Sequence, residues 1–329
     1  SAIADLLRRL HHTAGIDHGG HAPDMHGAVA DDFNFRHCRH VGAEGKLGAD
    51  APAMARGQGL IPIGFARHAL QRGQFILYYQ PQVSVPEGRT LGAEALIRWQ
   101  HPQRGLVPPM EFIPFAEQTG FVRLLTLWIF AETARHWPLM RAAGLRRVSV
   151  NLSTRDLMDQ ELPEKLDAIL RRHQAFAEAL CLEITESAIM DDPERAEATL
   201  NRLAGRGYKL SIDDFGTGYS SLAYLKRLPV HELKIDKSFV MAMERDTGDA
   251  KIVRSTIDLA HNLGLSVVAE GIENDAILTL LHELKCDEGQ GFHMSKPLPM
   301  AEFVAFATRW QARAPMAPGL AQMGPALLH

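Results

Sequence analysis

From Ile61 onward, short apolar runs alternate with stretches whose apolar residues recur every three or four positions, which predicts strands and helices in turn. Runs rich in β-branched or aromatic residues and bounded by glycine or polar residues predict strands at Phe75–Val85, Leu91–Trp99, Arg147–Leu152, Leu180–Ile184, Lys209–Asp213, Glu232–Asp236, Ser266–Glu270 and Glu288–Phe292. Between members of the last six lie helical patterns. Examples are Pro193–Arg206, with Ala196, Leu200 and Leu203, and Ala250–Leu263, with Ile252, Ile257 and Leu259. Repeated strand–helix units predict parallel strands. Only Pro86 to Thr90 separate the first two runs, and so short a link predicts antiparallel pairing. The set fits a (β/α)8 TIM-type barrel of about 250 residues with an antiparallel first strand, better than an open doubly wound sheet.

The first sixty residues have a different texture. Ile3, Leu6, Leu7 and Leu10 recur at helical spacing and predict a short N-terminal helix; from His11 to Gly59 there are few bulky apolar residues to bury. The expected organisation is residues 1–60 as helix and linker, the remnant of a preceding domain, 61–312 as the barrel, and 313–329 as a C-terminal tail. His11, His12, His18, His21, His26, His37 and His40 crowd the linker, as a metal-binding tract or as solvated linker without fixed ligand spacing.

Composition narrows the partners. With 46% hydrophobic and 22% charged residues the chain is ordinary globular material, and 35 basic against 39 acidic residues give −4, too balanced for a DNA, RNA or membrane-surface binder. No apolar run approaches the ~20 residues of a membrane helix; Leu124 to Ala131 is a buried-helix length. Cys38, Cys181 and Cys286 are odd in number and far apart, which argues against a disulfide framework. No signal peptide opens the sequence, so the expected location is cytoplasmic, including the cytoplasmic portion of a longer sensor protein.

Polar residues close the predicted parallel strands. Asn151 follows Val148-Ser149-Val150, Glu183 follows Leu180-Cys181-Leu182, Asp213 and Asp214 follow Leu210-Ser211-Ile212, and Lys234 and Asp236 lie within Leu233 to Asp236. Glu270 closes Val267-Val268-Ala269, and Gln290 lies between Gly289 and Gly291. A single carboxylate at a strand end is ordinarily a helix cap or turn former. Caps favour Ser, Thr, Asp and Asn, so a set including Glu, Lys and Gln is poorly explained that way. In a barrel these ends converge on the face that carries active sites.

Several carboxylates on one rim repel one another, and hard divalent cations bound through oxygen relieve the repulsion. Adjacent Asp213 and Asp214 suit a two-metal site, the usual clamp for displacement at phosphorus, so phosphodiester hydrolysis leads. Glu94 and Arg98 share strand parity, one for metal and one for phosphate, or else form an exposed salt-bridging pair. The glycine-rich segment Phe215-Gly216-Thr217-Gly218 lacks a P-loop ending and gains interest only from the neighbouring acids.

At these residues the sequence closely resembles the EAL domain family of cyclic di-GMP phosphodiesterases, over about Ile61 to Trp310. The resemblance is carried by Tyr79-Gln80-Pro81, Glu94-Ala95-Leu96 with Arg98-Trp99 and His101-Pro102, Phe112-Ile113-Pro114 with Ala116-Glu117, and Val150-Asn151-Leu152-Ser153. Further on come Glu183-Ile184-Thr185-Glu186-Ser187, Asp213 to Leu222, Lys234-Ile235-Asp236, Ala269-Glu270-Gly271-Ile272-Glu273, and Gln290-Gly291 followed by Lys296-Pro297-Leu298. It implies hydrolysis of one phosphodiester of cyclic di-GMP to linear pGpG with two Mg2+ or Mn2+ ions, in bacterial signalling, by a homodimer.

Carried over by motif, Glu94, Asn151, Glu183 and Asp213 hold one metal, and Asp213, Asp214 and Glu270 hold the second or orient its water. Lys234 positions or activates the water, with Gln290 nearby. Arg98, Gln80, Leu96, Asp236 and Pro297 meet the dinucleotide, and Glu186 braces the glycine-rich loop through Ser220 or its neighbours. Departures are mild: Phe292 where tyrosine is common, Ile272 where valine is common, and His293-Met294 where bulkier apolar residues are usual. They touch guanine packing rather than chemistry. Two other readings stay open: a receptor or scaffold that binds cyclic di-GMP without hydrolysing it, and a barrel lyase using Lys234 as a Schiff base, which requires an apolar lysine pocket.

Overall fold

The computed structural model describes residues 63–217 and 222–311. The expected N-terminal helix and His-rich segment, Ser220 and the tail from 313 lie outside the described residues. The described residues fall into two compact units, one of residues 77–96 and 123 onward, the other of residues up to 76 together with 97–122.

The larger unit holds a closed barrel. Its strands are β1 (Phe75–Ser84), β2 (Thr90–His101), β4 (Arg147–Leu152), β5 (Leu180–Thr185), β6 (Lys209–Phe215), β7 (Glu232–Ile235), β8 (Ser266–Ala269) and β9 (Glu288–Gly289). β1 and β2 begin or end in the smaller unit. Around the barrel each strand pairs with the next in that order, and β9 closes onto β1. From β2 through β9 the ladder is parallel, and β1 runs antiparallel to β9, as the pattern predicts. A two-residue strand, β10 (Leu298–Pro299), pairs antiparallel with Tyr78 and Tyr79 of β1; it is too short to leave a periodic signal.

Period-two alternation divides the strands. Val148, Val150 and Leu152 of β4, Leu182 and Ile184 of β5, Leu210 and Ile212 of β6, and Leu233 and Ile235 of β7 are buried. They meet helices α5 (Leu162–His173), α7 (Pro193–Ala204) and α10 (Thr247–Asn262), which bury Leu166 and Leu170, Leu200 and Leu203, and Val253 and Ile257 in turn. Each such Leu, Ile or Val contributes about 1.5–3 kcal/mol. The opposite parity carries Ser149, Glu183, Ser211, Lys234 and Gln290, buried polar groups that line the barrel interior.

Caps are supplied next to the strand-end residues. Ser153 forms a capping box with Asp156 over α4 (Thr154–Leu157), and Thr185 caps α6 (Glu186–Met190). Asn151 and Glu183 are thereby released from that duty. Asp236 is different: its carboxylate accepts from the Ser238 amide at 2.9 Å and caps α9 (Lys237–Ala242).

In the smaller unit lie α1 (Ile63–Gln71), β3 (Gly105–Val107), which pairs antiparallel with Trp99 to His101, and α2 (Ile113–Thr119). Trp99 organises it, packing on Phe75 at 5.5 Å and Phe112 at 5.9 Å between ring centroids, while its indole donates to Gln74 at 3.2 Å. The remaining helices are α3 (Val122–Ala142), α8 (Leu222–Leu225), α11 (Asp275–Glu283) and α12 (Met300–Gln311). No helix among the described residues is long and apolar enough to cross a membrane.

Candidate active site

At the C-terminal ends of the parallel strands the chain gathers its acids around one amine. Lys234 is fully buried, and its Nζ lies 2.6 Å from Glu270, 3.0 Å from Glu183, 3.1 Å from Asp213 and 3.7 Å from Glu94. Those residues come from β7, the end of β8, β5, β6 and β2, so the site exists only once the barrel closes. Gln290 lies between the acids, its Nε2 donating to Glu94 at 2.7 Å and to Glu270 at 3.0 Å. Asn151 donates to the other Glu94 oxygen at 2.8 Å.

Adjacent aspartates on a regular strand would face opposite sides. Here β6 is bulged against β7: the register passes from Ile212 opposite Leu233 to Phe215 opposite Ile235, three residues against two. Asp214 takes a left-handed conformation, φ 53°, and its amide donates to the Asp213 carboxylate at 3.0 Å. This conformation costs a non-glycine residue about 1–2 kcal/mol. It allows Asp213, Asp214 and Glu270 each to bring one carboxylate oxygen within 4.8 Å of the others.

One ammonium does not balance that many carboxylates. Burial, with Glu94, Asp213 and Glu270 adding to it, drives the Glu183 carboxyl well above its ordinary value in spite of Lys234. Glu270 is pushed up to about 7 by burial and by Asp213 and Glu94. Asp214 rises to about 6 through burial and the neighbouring Asp213 and Asp236. Glu94 is also buried, but Lys234 and the amides of Gln290 and Asn151 outweigh that and hold it below the usual range. Lys234 keeps its proton, burial being outweighed by Asp213, Glu183, Glu270 and Glu94. The site therefore retains protons that a cation would displace.

Other expected residues make contacts of their own. Gln80 is buried and donates to the Ser295 carbonyl at 3.3 Å, while Leu96 and Pro297 are half-buried. Glu186 is buried and accepts from the Gly216 amide at 3.3 Å, so it does reach the segment that follows the aspartates. Arg98 belongs to the smaller unit, where its guanidinium donates to the Ile97 carbonyl at 2.9 Å.

Sequence reasoning missed four interior groups. Gln82 is fully buried with its amide 3.4 Å from the Ser149 hydroxyl and 3.5 Å from Glu183. Arg147 forms ion pairs with Glu232 at 2.7 Å and Glu288 at 2.8 Å. Parity was the available signal: Gln82 is two residues from Gln80, Glu232 two from Lys234, and Glu288 two from Gln290.

A model of the EAL domain matches residues 65–297, well over half of the chain. The chain belongs to the EAL domain family. This EAL chain is 42% identical over 241 residues to the bifunctional diguanylate cyclase/cyclic di-GMP phosphodiesterase MucR of Pseudomonas aeruginosa, an alignment covering 73% of this chain and 35% of MucR. With the cyclic di-GMP phosphodiesterase NbdA of the same organism it shares 40% over 254 residues, 76% of this chain and 32% of NbdA. The chain thus spans about a third of the length of these curated relatives. Among solved structures it resembles the PaMucR phosphodiesterase in complex with c-di-GMP, with 41% identity, a TM-score of 0.70, and coverage of 73% of this chain and 98% of that one. The FimX EAL domain from Pseudomonas aeruginosa bound to c-di-GMP is more distant, at 25% identity, a TM-score of 0.65, and coverage of 72% and 95%.

Proposed function

We propose that this EAL domain is a metal-dependent phosphodiesterase that hydrolyses one phosphodiester of cyclic di-GMP to linear pGpG. The observation that carries the reading is the group of Glu94, Glu183, Asp213 and Glu270 on the single ammonium of Lys234, with Asp214 beside it. Relatives named as cyclic di-GMP phosphodiesterases supply the substrate class.

The donor set fits hard divalent cations. Every donor is a carboxylate or amide oxygen, the acids carry more negative charge than Lys234 offsets, and the buried Gln290 Oε1 has no hydrogen-bond partner. Asp213, Asp214 and Glu270 would hold one Mg2+ or Mn2+ ion, and Glu94, Asn151, Glu183 and Asp213 the other. Such ions would supply the positive charge that acidifies water and offsets charge developing on a phosphoryl group.

The chain's own groups divide the remaining work. Glu94, held below the usual carboxylate range, stays ionised at neutral pH. Glu270 would orient the attacking water beside the ion it helps hold and take up its proton. Lys234 remains an ammonium, fixes the acids around it, and donates toward the water. In the reaction the water oxygen bonds to phosphorus, one P–O ester bond breaks, and the leaving oxygen takes up a proton. Gln80, Leu96, Asp236 and Pro297 would orient the dinucleotide, and Glu186 would steady the aspartates through Gly216. A Schiff-base role for Lys234 is disfavoured, since its environment of carboxylates keeps the amine protonated and non-nucleophilic.

Incubation of the chain with cyclic di-GMP and Mn2+, followed by chromatography, tests the reading. Linear pGpG is expected, abolished by EDTA and restored by Mn2+. Tight binding of cyclic di-GMP with no product at high enzyme concentration would overturn it in favour of a receptor. Sedimentation velocity is expected to give a homodimer; a monomer at all concentrations would remove that part.

A further inference from the structure

Beneath the carboxylate cluster, two residues further toward the N-terminal ends of the same strands, the barrel holds a second ionic group. Arg147 of β4 grips Glu288 with both terminal nitrogens, Nη1 to Oε1 and Nη2 to Oε2 at 2.8 Å each, and donates from Nη2 to Glu232 at 2.7 Å. The side chains of Glu232 and Glu288 are only 4% and 7% exposed, and Arg147 17%, so this is an interior arrangement. The strands it joins are not neighbours: β5 and β6 separate β4 from β7, and β8 separates β7 from β9. No backbone ladder fixes their separation across the interior. The guanidinium fork does, because it is planar and its two-point grip on a carboxylate tolerates little misalignment.

Room for the fork is made by Gly92 on β2. A Cβ there would lie 3.1 Å from Arg147 Cγ, 3.2 Å from its carbonyl oxygen and 2.9 Å from Gln82 Oε1. An apolar filling of such a site is commonly at least as stable as an ion pair, so cohesion alone does not account for the arrangement.

We propose that Arg147 is a positioning residue for the site above it: by holding Glu232 and Glu288 it sets where β7 presents Lys234 and β9 presents Gln290. Both upper residues lie two positions beyond the ones it grips, on the same strand face. Lys234 and Gln290 between them touch Glu94, Glu183, Asp213 and Glu270. The inference rests on the phosphodiesterase reading for its catalytic consequence but not for its geometry.

The test compares Arg147→Lys, which keeps the charge and loses the fork, with the triple variant Arg147→Met, Glu232→Gln, Glu288→Gln, which leaves no buried unpaired charge and so keeps folding accessible. Leu200→Ala, on the buried face of α7 that packs against the outside of the barrel, serves as a variant of lowered melting temperature remote from the site. Both Arg147 variants are expected to lose about tenfold in kcat toward cyclic di-GMP with KM within about twofold, while folded Leu200→Ala keeps the parent kcat. Parent kcat in the folded variants would overturn the proposal. A parent that hydrolyses nothing would overturn the phosphodiesterase reading instead, and the geometry is then read without substrate or metal. Enclosed Lys234 should give an exchange-protected ammonium signal by NMR, lost in both Arg147 variants. An unchanged signal would overturn the positioning role.

Discussion

The barrel interior contains two ionic groups built on the same strands, and they differ in balance. In the lower one, Arg147 faces two carboxylates and its fork satisfies Glu288 at both oxygens. In the upper one, a single Lys234 faces four carboxylates within 4 Å, and Glu183, Glu270 and Asp214 are driven up toward protonation. Both groups carry more acid than base, and burial with Glu288 drives Glu232 up as well, but two residues along a strand separate two carboxylates on one cation from four on one cation. Burial of charge and an excess of acid are common to both, so neither alone marks a functional site; the size of the excess does.

The largest effect that would break this contrast is on turnover. Lys234→Ala should lower the rate of cyclic di-GMP hydrolysis by about 10^3-fold, since it removes the charge that organises four acids. Near-normal initial rates would show that the upper group is not the site. On the lower group, Glu288→Gln should cost about 3 kcal/mol of stability by urea denaturation, because it half-uncouples a buried guanidinium, and should leave the Mn2+ stoichiometry unchanged. A loss of metal binding greater than the loss of stability would erase the distinction between the groups.

Smaller changes sharpen it. Glu186→Ala removes the acceptor of the Gly216 amide and should weaken Mn2+ binding about tenfold by calorimetry, because it frees the segment after Asp213 and Asp214. Unaltered affinity would restrict Glu186 to packing.

The smallest expected effect concerns pH in the metal-free protein. Glu270 has a folded value of about 7 against an ordinary 4.5, and Asp214 about 6 against 3.8, so between those values the folded state holds more protons than the unfolded one. Stability is therefore full below the ordinary values and declines as pH rises through about 4 to 7. The melting temperature in EDTA should fall by several degrees from pH 5 to pH 8, Glu270→Gln should recover about 1 kcal/mol at pH 8, and Mn2+ should cancel the decline. A metal-free melting temperature that rises over that interval would contradict the uncompensated charge.

The difference between the two groups also explains what could be read before the fold was in view. The parallel strands and the antiparallel first strand were legible because apolar runs such as Val148–Val150 and Leu180–Leu182 break at polar residues that stay fixed to the strand ends. The upper acids announced themselves as charges placed against apolar runs. Arg147, Glu232 and Glu288 did not, because each begins its strand, where a charged residue reads as ordinary solvated flank. Only the closed barrel, bringing β4, β7 and β9 across one interior, turns those flanks into a buried group. The bulge at Asp213 and Asp214 was equally hidden, since two adjacent acids do not reveal which of them departs from regular geometry. Asp236 shows another limit: expected to meet the dinucleotide, it also caps α9 through the Ser238 amide, a duty that reading did not assign.

The central claim is that the upper group, with four carboxylates on one ammonium, takes up divalent cations, while the lower, with two on one guanidinium, does not. Equilibrium dialysis against Mn2+ at pH 7.5 tests it most directly, with the parent chain beside Asp213→Asn and Glu288→Gln. The account predicts two Mn2+ ions bound per parent chain, loss of both in Asp213→Asn, and two retained in Glu288→Gln. A parent chain that binds no Mn2+ saturably, or whose Mn2+ survives Asp213→Asn unchanged, would contradict it.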